Sequence, residues 1–79
     1  MSKKFPAVAA GELIKVLNKI GFVLKRQSGT SHAIYYRAHD GKRTTVPVHS
    51  KTVIKRKTLK SILADAGLTI DEFIELKKK

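Results

Sequence analysis

The sequence predicts an α+β fold in which helices cover one face of a three-stranded antiparallel sheet, in the order α-β-β-β-α-α. A helical stripe of apolar residues comes first, and short β-type segments joined by tight turns follow it. Two further helical patterns close the chain. Because 79 residues leave room for one hydrophobic core, residues 1–79 are expected to form a single domain, a two-layer sandwich.

The first helix is expected over residues 11–20. Leu13, Leu17 and Ile20 recur there at i, i+4 and i+7, which is the spacing of one helix face. Gly21 follows, at the position where a left-handed backbone conformation ends many helices. Residues 1–9 carry no pattern that specifies a conformation, so they are expected to be a lead-in to this helix.

The central region is expected to be a meander of three strands. A polar, glycine-containing turn separates the first two strands, and the Asp40-Gly41 pair marks a hairpin turn before the third. Pro47 has no backbone N–H, so the end of the third strand should lie at an edge or a terminus. The three strands are predicted over residues 22–27, 31–37 and 42–48.

The second strand carries a histidine directly after the polar turn. Side chains alternate along a strand, so His32 shares one face with Ile34 and Tyr36, and Ala33 shares the other with Tyr35. Each face has apolar members, and the alternation alone leaves open which of them is the core. On an open face, His32 would expose an imidazole suited to proton transfer, although a lone strand histidine is also common as a structural residue.

Two helices are expected after the sheet. In the first, apolar residues recur at i, i+3, i+4 and i+7 before a glycine ends the pattern. The second begins with a capping box formed by Thr69 and Glu72, and Leu68 and Phe73 occupy the positions of a hydrophobic staple. The three lysines at residues 77–79 are expected to form a basic tail beyond this helix.

The chain is strongly basic, with a formal net charge of +11. Such a field attracts polyanions, and nucleic acid is the first candidate. No apolar run reaches the ~18 residues of a membrane span, and no basic amphipathic helix with bulky aromatic residues favours a membrane surface. The absence of cysteine and of a signal-peptide pattern favours the cytoplasm. A merely basic protein, or one that an acidic partner neutralises, is the alternative.

Basic residues gather beside the turns and before the second predicted helix. Residues 55–57 place three cations at a helix N-terminus, where the helix dipole is already positive, and this favours an external anion such as a phosphate. A solvated basic loop is the alternative. The candidate RNA-binding residues are Lys25, Arg26, Lys42, Arg43, Lys51, Lys55, Arg56 and Lys57.

Three side chains are secondary candidates. Tyr36 could stack on a base, and His49 could carry a second proton or contact a phosphate. Ser31 lies next to His32 and is otherwise explained as a turn former. The carboxylates are spread over helix ends and one turn, and the histidines lack a ligand-like spacing, so the sequence predicts no metal site and no cofactor.

Several short motifs occur in an order that resembles one protein family. They are Gly21-Phe22, Arg26-Gln27, Gly29-Thr30-Ser31-His32, Asp40-Gly41-Lys42-Arg43, Val46-Pro47-Val48-His49, Thr58-Leu59 and Ala66-Gly67-Leu68. Together they resemble the HicA toxins, small mRNA interferases of bacterial and archaeal toxin–antitoxin pairs. The likeness runs from about residue 11 to residue 73.

The resemblance implies a fold like that of double-stranded-RNA-binding domains, whose αβββα order agrees with the predicted elements. It also implies that one histidine of the Gly-Ser-His region cleaves RNA, and that histidine corresponds to His32. In the family pattern Ala33 and Tyr35 would face the core, which leaves His32 on the open face. The chain departs from the commonest pattern by reading Gly-Thr-Ser-His, with Ala33 in place of a second histidine.

The resulting hypothesis is a metal-independent endoribonuclease toxin that inhibits translation and growth. His32 would act as general acid or base on mRNA, and a HicB-like antitoxin would block it. The alternative is a non-catalytic double-stranded-RNA-binding module that uses the same basic face.

Overall fold

A computed structural model of the chain describes residues 7–28, 32–47 and 53–78. The sheet is antiparallel with strand order β1-β2-β3, so the predicted α+β class and the order of the elements are confirmed. None of the helices in these ranges is both long enough and apolar enough to cross a membrane. The elements are α1 (Ala10–Lys19), β1 (Val23–Ser28), β2 (His32–Arg37), β3 (Lys42–Pro47), α2 (Arg56–Ala66) and α3 (Ile70–Lys78).

The helices form one layer on one face of the sheet. α2 packs against β3, and α1 packs against α3. Ala33 and Tyr35 of β2 are buried beneath this layer, at 1% and 7% exposure, together with Val46 of β3. This packing decides which face of β2 is the core, since its other side chains then point away from the helices.

Strand β1 lies outside the helical layer. Leu24 pairs with Tyr35 and so points to the helix side of the sheet, yet it is 52% exposed, since α1 and α2 pack mainly against β3 at the other edge. The register with β2 shifts between Leu24 and Arg26, and this bulge takes Lys25 out of the regular alternation. The result is an exposed edge strand that carries two adjacent cations.

Two segments that were expected to lie outside the elements are built into the fold. Val8 is fully buried, and its carbonyl accepts a hydrogen bond of 2.7 Å from the N–H of Ile54. Its side chain completes the core beside α1, where burial of an apolar group is favourable. Lys77 and Lys78 form the last turn of α3 instead of a tail, where cations interact favourably with the helix dipole. Lys77 Nζ also lies 3.7 Å from Glu12 Oε2, an ion pair between α3 and α1.

The predicted start of α3 is confirmed. The N–H of Thr69 donates to Glu72 Oε1 at 2.9 Å, and the N–H of Glu72 donates to Thr69 Oγ1 at 3.1 Å. Phe73, at the staple position, is fully buried. The reciprocal bonds satisfy two backbone donors that a helix start leaves without partners, so α3 begins at a defined residue.

Gly21 links α1 to the sheet in a conformation that other residues rarely adopt. Its φ is +100°, and a Cβ there would lie 3.2 Å from Arg37 Cδ. We expect Gly21→Ala to lower the free energy of unfolding by about 1–2 kcal/mol.

The matched control is Gly11→Ala, because Gly11 lies in α1 with no atom within 4 Å of the added methyl. We expect Gly11→Ala to raise the free energy of unfolding by about 0.5 kcal/mol, because alanine favours a helix more than glycine does. Urea unfolding measures both, and equal effects of the two changes would contradict this account.

Candidate functional site

His32 is the first residue of β2, and its side chain is exposed. Its Cα partners are Ser28 on β1 and Pro47 on β3, so His32 lies in the middle of the sheet's width, at one end of the strands. Because Ala33 and Tyr35 face the helices, His32 points to the opposite surface of the sheet. We call that surface the open face.

The strand register extends the open face to both neighbouring strands, because residues opposite each other in an antiparallel pair point to the same side. None of the three strands contains Asp or Glu. The face therefore combines an imidazole at one end, partly apolar side chains along its middle and cations on both sides. By register, the open face consists of Val23, Arg26, His32, Ile34, Tyr36, Arg43, Thr45 and Pro47.

Lys25 adds a cation above this face. Its Nζ lies 4.4 Å from the centre of the Tyr36 ring, a cation–π contact. The contact holds the ammonium group over the sheet instead of letting it extend into solvent. Tyr36, expected as a stacking platform for a base, thus has an ammonium group on its ring in this structure.

A cleft of about 490 Å³ lies between β3 and α2. It brings Arg43 of the open face to the same place as Lys57 of α2, although these residues are distant in sequence. Hydroxyl groups and one carboxylate complete its wall. The lining residues are Arg43, Thr44, Thr45, Lys57, Thr58, Ser61, Ile62 and Asp65.

The start of α2 concentrates positive charge. Lys55 is its N-cap residue, and Arg56 and Lys57 are its first two helical residues; all three are exposed. Its first turn contains no acidic residue, and no side chain caps it. Cations are locally unfavourable at this end of a helix, so their presence suits an anion that comes from outside the protein.

The remaining predicted site residues fall into two groups. Lys42 lies apart from the open face: it pairs with Arg37 on the helix side, and its Cε is 3.8 Å from where a Cβ on Gly67 would lie. Its inclusion among the RNA-binding residues therefore has no support from its position. Ser31, His49 and Lys51 lie outside the described residues.

Arg37, which no sequence motif indicated as important, joins three parts of the fold. Its guanidinium donates to both carboxylate oxygens of Asp40, at 3.1 and 2.7 Å, and to the carbonyl of Ile20 at 3.0 Å. It also lies over the Phe22 ring, 4.7 Å from its centre. The hydrogen bonds from Arg37 lower the pKa of Asp40 to about 2. The sequence does contain a signal for this pair, because Arg37 and Asp40 are three residues apart at the start of the hairpin turn.

Asp65 was also missed. Its Oδ2 accepts a hydrogen bond of 3.0 Å from the hydroxyl of Thr44, which is 3% exposed. This bond ties α2 to β3 at the wall of the cleft. In the described part of the chain, no three His, Asp or Glu side chains lie close enough together to hold a metal ion.

The chain matches the model of one known protein family over most of its length. The family model described as "HicA toxin of bacterial toxin-antitoxin" matches residues 10–68 of the 79. A search of the curated proteins finds no match. The matched range begins with the first residue of α1 and includes the whole sheet and all of α2. A match over most of the chain places it among these toxins: the chain belongs to the HicA family of bacterial toxin–antitoxin systems.

Proposed function

We propose that this toxin is an endoribonuclease that cleaves mRNA with His32 as general acid or base and without a metal ion. The observation that carries the proposal is the position of His32. Its imidazole is exposed at the end of an open face that has cations on both sides and no carboxylate in its strands. Such a face attracts a phosphate backbone to an imidazole, a group that can accept or donate a proton.

The chemistry needs one proton removed and one delivered. The 2′-hydroxyl of a nucleotide loses its proton and attacks the adjacent phosphorus, forming the P–O2′ bond. The P–O5′ bond then breaks, and the leaving oxygen gains a proton. The products are a 2′,3′-cyclic phosphate and a free 5′-hydroxyl. His32 performs one of the two proton transfers, which requires its imidazole to lie within hydrogen-bond reach of the reacting oxygen.

The cations supply the second part of the mechanism. The phosphorane formed during attack carries more negative charge than the starting phosphodiester, so fixed cations stabilise it selectively. Arg26 is paired with Ile34, two residues from His32 and therefore about 7 Å along the strand. Two further cations bind phosphates of the RNA that lie farther from the cut. They are Lys25, which lies over Tyr36, and Arg43 on β3, at the other edge of the sheet.

A substrate with a single 2′-deoxy nucleotide tests this mechanism. We expect a defined RNA that carries the deoxy substitution at the cut site to bind like the unmodified RNA and to resist cleavage. The unmodified RNA should yield 2′,3′-cyclic phosphate ends, which mass spectrometry of the products detects. Continued cleavage of the deoxy substrate would mean that water, not the 2′-hydroxyl, attacks the phosphorus.

The cations at the start of α2 should contribute to RNA affinity through counterion release. For the double variant Lys55→Ala/Lys57→Ala, we expect the slope of log affinity against log salt to fall in magnitude by about 1.4 for single-stranded RNA. A control variant, Lys15→Ala/Lys78→Ala, removes the same charge from exposed positions on the helices. Binding titrations at several salt concentrations measure the slopes. Equal slopes for the two variants would show that the α2 cations act only through net charge.

We also propose that a HicB-like antitoxin covers His32 and thereby blocks RNA, and that the pair works in the cytoplasm. An antitoxin that presents carboxylates to the open face would match its charge. A structure of the complex in which RNA could still reach His32 would contradict this part of the proposal.

A further inference from the structure

We propose that the cleft between β3 and α2 holds one nucleotide of the RNA beside the cut, and that Asp65 selects the base bound there. The inference rests on the ribonuclease activity proposed above. It adds a substrate preference and names the residue that determines it.

The cleft is a continuation of the open face. Arg43 and Thr45 belong to both surfaces, since they point away from the helices and also line the cleft. Thr45 lies two residues from Pro47, the Cα partner of His32, so the near end of the cleft is about 7 Å along β3 from the level of His32. An RNA strand that crosses the sheet edge from His32 therefore enters the cleft within a nucleotide or two of the cut.

The lining of the cleft suits a nucleotide. Its volume of about 490 Å³ is in the range of small-ligand sites. Arg43 and Lys57 supply two cations, and within the described ranges neither forms an ion pair with a carboxylate. Both are therefore available to a phosphate oxygen. The hydroxyls of Thr45, Thr58 and Ser61 can donate to phosphate or exchange hydrogen bonds with a ribose.

Asp65 gives the cleft a group that discriminates between bases. A carboxylate only accepts hydrogen bonds, so it does not serve a phosphate and instead pairs with an amino group. The bond from Thr44 engages one oxygen, Oδ2, and holds the carboxylate at the wall of the cleft. A carboxylate has about four lone-pair sites, so Asp65 can accept further hydrogen bonds there. Cytosine, adenine and guanine each carry an exocyclic amino group, whereas uracil has none, and its one donor on the pairing edge, N3–H, lies between two carbonyl oxygens that a carboxylate repels. The cleft should therefore disfavour uracil.

The experiment is cleavage of a pool of RNA oligonucleotides with random bases on both sides of the cut, followed by sequencing of the product ends. We expect the unmodified protein to disfavour uracil about tenfold at one fixed position next to the cut. Asp65→Asn should abolish most of that tenfold preference, because the amide can donate to a uracil oxygen. The amide oxygen can still accept from Thr44, so the substitution keeps the contact between α2 and β3.

Glu75→Gln is the matched control, since it removes the same charge from an exposed carboxylate of α3. We expect its cleavage profile to equal that of the unmodified protein. If Asp65→Asn also leaves the profile unchanged, or weakens only antitoxin binding, Asp65 does not select the base and the inference is wrong while the ribonuclease stands. If the unmodified protein cleaves no RNA in the pool, the inference and the proposed function fall together.

Discussion

Replacement of His32 by alanine is expected to slow RNA cleavage by about 10²- to 10⁴-fold, the range that general acid–base catalysis contributes. The expectation follows from the exposed position of His32 on a face whose strands contain no other imidazole and no carboxylate. Single-turnover cleavage of a defined RNA measures the effect. Because the side chain is exposed at the end of a strand, we expect the urea unfolding midpoint to change little.

His39→Ala is the matched control for this variant. His39 is exposed in the hairpin turn, at the opposite end of β2 from His32, and we expect full activity without it. Cleavage that persists in His32→Ala would remove His32 from the mechanism. If the unmodified protein binds RNA in a salt-sensitive way but never cleaves it, the non-catalytic RNA-binding module is the correct function.

The largest expected effect on stability comes from Arg37. We expect Arg37→Ala to lower the free energy of unfolding by about 2–4 kcal/mol, because it removes the hydrogen bonds of the guanidinium to the Ile20 carbonyl and to Asp40 and the contact with the Phe22 ring. Arg37→Lys should recover only part of the loss, since an ammonium group cannot reach these acceptors as a planar fork does. Urea unfolding at neutral pH measures both. An unchanged midpoint in Arg37→Ala would show that Arg37 does not hold these parts together.

The pair of Arg37 and Asp40 also predicts a dependence of stability on pH. Asp40 has its pKa lowered from 3.8 to about 2, chiefly by the hydrogen bonds from Arg37, so its ionised form is favoured in the folded state. Its contribution to stability is present above pH ~4 and is lost as the pH falls towards 2. We therefore expect Asp40→Asn to destabilise the protein at pH 7 and to have little effect near pH 2. A penalty that is the same at both pH values would contradict this linkage.

Most of the local architecture was predictable because its causes are local. The capping bonds of Thr69 and Glu72 join residues three apart, and Gly67 ends α2 with a left-handed conformation at a φ of 75°. The hairpin turn at Asp40-Gly41 is set in the same way, and Gly41 has a φ of 71°. The bounds were wrong at both ends of the chain: Val8, expected in the lead-in, is buried in the core, and α3 extends to Lys78.

The candidate site was predictable only in part. The type and sequence position of His32, Lys25 and Arg26 come from the residues and from the likeness to HicA toxins. The position of Lys42 on the helix side and the cation–π contact of Lys25 with Tyr36 could not be predicted in this way, because each depends on how the strands pair. The cleft formed by Arg43, Lys57 and Asp65 depends on the packing of α2 against β3.

By itself, therefore, the sequence determined the order of the elements, the positive charge and the histidine at the start of β2, since these depend on neighbouring residues and composition. The alternation of residues left open which face of β2 is the core; the resemblance to HicA toxins favoured an open face with His32, and the tertiary structure decided it. Both faces carry apolar side chains, and burial of Ala33 and Tyr35 beneath the helices leaves His32 exposed. The structure likewise brought Arg37 to Ile20 and Thr44 to Asp65, because such contacts join residues 17 and 21 positions apart. No local pattern encodes pairs at that separation, and packing of the helices on the sheet creates them.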